Sequence, residues 1–124
     1  MNRTTARLAI SFALALAAAP LGHAADVVEI QLRGHYFSEP ATVQITVAVE
    51  PDAANRMLRI EADSDRFYRA SELELSGTDD PRLHSLVFKN LPAGNYLLRA
   101  EVYSTDALRG QATQELTVTG PGGR

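Results

Sequence analysis

From Asp26 onward, apolar and polar residues alternate with a period of two, and this pattern constrains the fold more than any other feature of the sequence. Successive side chains of a β-strand point to opposite faces, so such alternation predicts strands with one face against a core. The cleanest example places Val43, Ile45, Val47 and Val49 on one face, with Thr42, Gln44, Thr46, Ala48 and Glu50 on the other. A helical period is hard to find after Asp26, so we expect an all-β fold.

Seven segments show strand character, and turn residues separate them at a spacing of roughly 8–12 residues, which is typical of a β-sandwich. The segments are 28–32, 42–50, 58–63, 67–76, 83–89, 96–102 and 112–118. In the fourth segment the apolar residues change phase, which predicts a bulge or a break near Ser71. We therefore predict one seven-stranded antiparallel β-sandwich over residues 25–119. The glycine-rich residues 120–124 are predicted to form a flexible tail.

The first 24 residues have the three parts of a secretory signal peptide. Arg3 and Arg7 give a positive start, residues 8–19 form an apolar core, and residues 22–24, Gly-His-Ala, supply small residues at a cleavage site. A membrane-spanning helix needs about 20 apolar residues, so this core is too short to be one. We expect a periplasmic or secreted protein, with no membrane insertion after processing.

Processing also changes the charge of the chain. Removal of Arg3 and Arg7 lowers the count of Lys and Arg from 12 to 10 against 15 acids, so the formal net charge moves from -3 to -5. Such a surface repels phosphate backbones, which makes nucleic acid an unsuitable partner. The chain has no cysteine. Thiol catalysis, thiolate metal sites and disulfides are thereby excluded, and the fold must rely on packing and hydrogen bonds.

The most specific motif joins the fifth and sixth segments. It reads Leu91-Pro92-Ala93-Gly94-Asn95-Tyr96. Pro92 presets φ in the turn, and Gly94 allows the chain to turn where a β-carbon would clash. Tyr96 enters the next strand and can return its hydroxyl to the backbone near Leu91, the arrangement known as a tyrosine corner.

This motif resembles two neighbouring groups of exported sandwiches. One is the immunoglobulin-like or fibronectin type III-like group, in which Leu98 takes the position of the second cysteine of an antibody-type domain. The other is the prealbumin-like (carboxypeptidase regulatory-like) group, whose A-x-V-x-L strand is similar to residues 69–75, Arg-Ala-Ser-Glu-Leu-Glu-Leu. Either resemblance implies a non-catalytic accessory or adhesion module, on an architecture that hosts many unrelated roles.

Catalytic and metal-binding constellations are not evident in the mature sequence. His35 and His84 stand in no recognisable nucleophile or metal-ligand spacing, so we expect neither an enzyme nor a cofactor. A metal-binding alternative requires the two histidines to approach each other. Calcium at the acidic turns 63–65 or 79–80 is a further alternative, but Ca²⁺ takes about 6–8 oxygens, and solvated turns are expected instead.

Four aromatic residues stand at strand ends, namely Tyr36, Phe37, Tyr68 and Tyr103. Aromatics in such positions can form a sugar-stacking platform or a protein-binding anchor, or they can cap the two ends of the core. They are the candidate binding residues. The leading hypothesis is a non-catalytic module that contacts another envelope or extracellular protein, and the alternative is a small-molecule or carbohydrate-binding module.

The signal peptide generates the first testable prediction. Cleavage after Ala24 or Ala25 gives a mature chain that begins at Ala25 or Asp26, because small residues precede both bonds. Intact-mass measurement on protein recovered from its native compartment checks this, and a chain that still begins at Met1 contradicts it.

Overall fold

The computed structural model describes residues 27–120, and every regular element within this range is a β-strand. The predicted signal peptide (1–24), residues 25 and 26, and residues 121–124 lie outside the described part. The strands are β1 (Val28–Gln31), β2 (Tyr36–Ser38), β3 (Ala41–Val49), β4 (Met57–Asp63), β5 (Tyr68–Glu74), β6 (Leu83–Leu91), β7 (Gly94–Tyr103) and β8 (Leu108–Thr119).

The strands form two sheets, which confirms the predicted all-β sandwich. The three-stranded sheet has the order β1-β3-β6, and the five-stranded sheet has the order β2-β8-β7-β4-β5. All neighbours are antiparallel except β2 and β8, which run parallel. Between residues 27 and 120 there is no helix long and apolar enough to cross a membrane.

The strand count corrects the prediction from seven to eight, and one pair is parallel. The chain leaves the three-stranded sheet after Gln31 and joins the five-stranded sheet at Tyr36. The amide of Thr117 donates to the carbonyl of His35 at 2.7 Å, at the start of this parallel pair. The short strand β2 was missed because three residues are too few to display alternation.

The predicted bulge or break near Ser71 is wrong, since the register of β4 and β5 runs unbroken from Met57↔Glu74 to Asp63↔Tyr68. The apolar residues change phase in the sequence because Tyr68 and Ala70 occupy outward positions at the start of β5, whereas Leu73 occupies an inward position. The inward position between Tyr68 and Ala70 is Arg69, whose guanidinium carbon lies 5.1 Å from the ring centre of Phe67. Arg69 also donates to the carbonyl of Lys89 in the other sheet, so it covers one side of the core.

The core lies between the two sheets and consists of the inward residues of the long strands. The largest of its fully buried aliphatic residues on β3, β4 and β7 are Val43, Ile45, Val47, Leu58, Ile60, Leu98 and Val102. Burial of each such side chain contributes about 1.5–3 kcal/mol. Because only one face of each sheet is used for this packing, the other face is available for polar residues.

The turn between β6 and β7 has the geometry of a tyrosine corner. The side chain of Tyr96 is 2% exposed, and its hydroxyl donates to the carbonyl of Pro92 at 2.7 Å. Burial raises the pKa of Tyr96, so the hydroxyl remains a donor. Gly94 does not have a positive φ. A β-carbon on Gly94 would instead lie 3.3 Å from the Oγ of Ser64, so close packing is the reason for glycine there.

The corner generates a stability prediction. Tyr96→Phe should lower the free energy of unfolding by about 0.5–1.5 kcal/mol, because the carbonyl of Pro92 loses its donor. Tyr96→Ala should lower it by about 3–5 kcal/mol, because the ring also leaves the core. Urea unfolding measures both changes.

Tyr36→Phe is the matched control, because the side chain of Tyr36 is 80% exposed. We expect its effect to stay within about 0.5 kcal/mol. Equal urea midpoints for the Tyr36 and Tyr96 variants would show that the corner contributes nothing to stability.

Candidate functional site

Three of the four candidate aromatics share the outward face of the five-stranded sheet. Residues directly opposite each other on paired strands point to the same face. Register pairs Tyr36 with Thr117, Tyr68 with Asp63, and Tyr103 with Met57, all of which point away from the core. Phe37 follows Tyr36 on the opposite face of β2 and packs against the core, so it does not belong with the other three.

The three tyrosines do not converge on one patch. Tyr36 lies on β2 and Tyr68 on β5, the two edges of the sheet, which are about 19 Å apart at the usual strand spacing. Tyr103 lies opposite Met57 at the other end of β4, about 20 Å along the strand from Tyr68. Such separations prevent the four aromatics from stacking on one small ligand. The carbohydrate-binding alternative loses the geometry on which it depended.

The centre of this face is organised by Glu61, which is only 9% exposed although it points outward. One carboxylate oxygen accepts from Arg99 Nη1 at 2.6 Å. The other accepts from Arg59 Nε at 2.9 Å and from the hydroxyl of Tyr68 at 2.8 Å. Burial by itself raises the pKa of Glu61, but the three hydrogen bonds outweigh it and hold the pKa below the ordinary value.

The network continues across β5 through Arg59. Its Nη1 donates to Glu72 at 2.8 Å, and its Nη2 donates to the hydroxyl of Tyr68 at 2.9 Å. At the far end of the sheet, the hydroxyl of Tyr103 donates to Glu101 at 3.0 Å. These bonds hold several long polar side chains in one arrangement. We call the outward side chains of β2, β8, β7, β4 and β5 the five-stranded face.

Two open depressions lie on this face, and Leu97 lines both. The first, about 490 Å³, also contacts Asp63 and Asn95, and the second, about 450 Å³, also contacts Tyr36 and Thr113. Leu97 points outward between Asp63 and Glu115. The sequence signal for it is the pair Leu97-Leu98, where the alternation of apolar and polar residues fails.

The two candidate histidines lie at different sheets, and the acidic turns of the described chain do not join them in a metal site. His35 precedes β2 and lies near the carbonyl of Glu115, with 3.0 Å between Nδ1 and the oxygen, whereas His84 is on β6 in the other sheet. The carboxylate of Asp80 accepts from the amides of Ser76 and Gly77 at 2.7 and 3.0 Å, so it stabilises its own turn. Within residues 27–120, no group of three or more histidines and acids is placed to hold a metal ion.

Comparison with known proteins identifies the fold. No protein-family profile and no curated protein matches the sequence. Among solved structures, a superoxide reductase (neelaredoxin) from Ignicoccus hospitalis aligns with a TM-score of 0.59 and 15% identity, covering 74% of this chain and 80% of that one. The CARDB domain of a Pyrococcus furiosus protein, in complex with di-metal ions, aligns with a TM-score of 0.55 and 16% identity, covering 75% and 86%.

The human F-spondin reeler domain is a third structural neighbour, with a TM-score of 0.53, 12% identity, and coverage of 75% of this chain and 89% of that one. At such identities the likeness shows the fold alone. The fold is an immunoglobulin-like β-sandwich, and the neighbours establish no specific family.

The network around Glu61 generates a pH-dependent prediction. The folded pKa of Glu61 is lowered, so its ionised form stabilises the fold above about pH 4.3 and this stability is lost as the pH falls through the lower folded pKa. Glu61→Gln should therefore lower the free energy of unfolding by about 1–3 kcal/mol at pH 7. The difference should shrink as the pH falls from 7 toward 2, because wild-type Glu61 also becomes neutral as the pH passes its lowered folded pKa.

Glu50→Gln is the control for this prediction. Glu50 pairs with Arg82 at 2.7 Å, but both side chains are more than half exposed, so the loss should be about 0–1 kcal/mol. Urea unfolding at both pH values measures the two variants. A penalty for Glu61→Gln that is equal at pH 7 and pH 2 would mean that the charge of Glu61 has no part in stability.

Proposed function

We propose that this chain is an exported, non-catalytic immunoglobulin-like module that binds another envelope or extracellular protein through the five-stranded face. The observation that carries the proposal is the combination of an ordered hydrogen-bond network with two exposed tyrosines on that face. Tyr36 is 80% exposed and Tyr68 is 51% exposed, and tyrosine is enriched at protein interfaces. Export rests on the signal peptide predicted in residues 1–24.

The ordering of the face supports a protein partner. Binding costs about 0.5–1.5 kcal/mol for each long side chain that must be immobilised. Arg59 and Arg99 are already held by Glu61, so a partner meets them in fixed positions. The two depressions beside Leu97 are open to solvent, a shape that suits side chains of a protein surface better than enclosure of a small ligand.

The charge of the face indicates the chemistry of the partner. Two arginines, Arg59 and Arg99, share the face with a larger set of acids. The acids are Glu61, Asp63, Glu72, Glu74, Glu101 and Glu115. A partner with a basic contact surface complements this excess, and such complementarity increases the association rate at low salt. We therefore propose a partner that presents lysine or arginine to the acids of the five-stranded face.

The experiment places a photo-crosslinking amino acid at single positions of the full-length precursor expressed in its native host. Position 97 should yield one defined protein adduct, because Leu97 lies between the two depressions. Position 29 is the matched control, because Glu29 is exposed on the outward face of the other sheet. The adduct at position 97 should decline as salt increases, since screening weakens exposed charge pairs.

Two further variants test the face directly. Leu97→Lys should abolish the adduct formed from a crosslinker at position 36, whereas Glu29→Lys should leave it unchanged. Equal yields from positions 29 and 97, or an adduct that survives Leu97→Lys, would contradict the proposal.

A further inference from the structure

Strand β6 forms an open edge of the three-stranded sheet. Its one strand partner within residues 27–120 is β3. The carbonyl of Arg82, just before β6, accepts from the amide of Val49, so even-numbered residues turn their backbone groups toward β3. The odd-numbered residues Leu83, Ser85 and Val87 therefore turn their N–H and C=O groups away from the sheet.

This edge differs from the other three in length and protection. Strands β1 and β2 have four and three residues, whereas β6 has nine. Strand β5 has the inward-pointing Arg69, and charges of that kind protect edges against pairing with another chain. On the outward face of β6, Lys89 is the first charged side chain, and Leu83 and Val87 are 53% and 46% exposed.

The open part of β6 is bounded on both sides. Pro81 precedes it and has no N–H to donate. Lys89 follows it, and the carbonyl of Lys89 already accepts from Arg69. The free window is therefore 83–87, and Ser85 is its centre.

We propose that β6 pairs with β6 of a second copy of this chain, antiparallel about a two-fold axis at Ser85. Leu83 of each copy then lies opposite Val87 of the other. The backbone N–H and C=O groups of residues 83, 85 and 87, which point away from β3, form about six hydrogen bonds across the axis. The two sheets become one six-stranded sheet. The paired Leu and Val side chains cover each other on its outward face.

A second copy fits this edge better than a different strand does, for two reasons. The window is self-complementary, since a two-fold axis at Ser85 exchanges its two apolar positions. The surrounding face is almost uncharged, because the outward side chains nearest β6 are Gln44, Thr46 and Ala48. Two acidic chains can approach each other there without the repulsion that their five-stranded faces would cause.

The test uses the absence of native cysteine in the chain. Opposed residues that exchange hydrogen bonds have Cα atoms about 5.5 Å apart, which lies within the range of a disulfide. Processed Ser85→Cys should therefore form a disulfide-linked dimer on mild oxidation. A mixture of Leu83→Cys and Val87→Cys chains should form the mixed dimer more than either homodimer.

Gln44→Cys is the matched control, because Gln44 is exposed on the same face but lies one strand inside the edge, opposite Val87. It should remain monomeric under the same oxidation. Equal crosslinking of Gln44→Cys and Ser85→Cys would show random collision and would overturn the proposal, as would a Ser85→Cys chain that stays monomeric.

Sedimentation over a concentration series gives a second readout that needs no cysteine. Wild-type chain should shift from the mass of one chain toward that of two as concentration increases. Ser85→Pro removes an N–H that points away from β3, so it should abolish the shift while the circular dichroism spectrum keeps its strand signal. A wild-type chain that stays monomeric at all concentrations, or association of Ser85→Pro equal to wild type, overturns the proposal.

Discussion

Contact between the inward faces of the two sheets is the interaction on which the rest of the domain depends. The chain has no cysteine, so no disulfide joins the sheets, and they are held by aliphatic rows such as Val43, Ile45 and Val47 against Leu58 and Ile60. Tyr96 adds a polar anchor at the turn between β6 and β7. Since this packing uses only the inward face of each sheet, it does not restrict the charge of the two outward faces, and the two outward faces differ in charge. One carries a network of charges and tyrosines, and the other is almost neutral.

Those parts of the fold that follow from regular alternation could be predicted from the sequence. Strand β7 is an example, because Tyr96, Leu98, Ala100 and Val102 all point inward and all are buried. The prediction failed where outward positions carry uncharged residues. Tyr68 is an example, because its aromatic ring made it look like an inward, apolar residue of the alternating pattern. In the structure it points outward, and its hydroxyl donates to Glu61 and accepts from Arg59.

The arrangement of the candidate site depended on long-range pairing, which a sequence does not display. Arg99 and Glu61 are separated by 38 residues, and their contact exists because β4 and β7 are neighbours in register. The aromatics show the same limit. Tyr36 and Phe37 are adjacent in the chain but lie on opposite faces of β2, so proximity in sequence could not group them. The alternation in the sequence did predict the polar face of β4, which carries Arg59 and Glu61. It did not show that Arg99 and Tyr68 bind Glu61 there.

The parallel pair of β2 and β8 joins the beginning of the described chain to its end. Tyr36 lies opposite Thr117 and Ser38 opposite Thr119. Strand β2 therefore cannot join the five-stranded sheet until β8 has been synthesised and has paired with β7. A ribosome delivers the chain from its amino terminus, and β2 must therefore wait for almost the whole length of the domain to emerge. A product truncated before β8 would leave β7, a central strand with a full row of backbone donors and acceptors, as an uncovered edge. Strand β8 therefore covers one side of β7 and supplies the partner of β2, and a domain without β8 exposes an unpaired backbone edge of the kind that pairs with other chains.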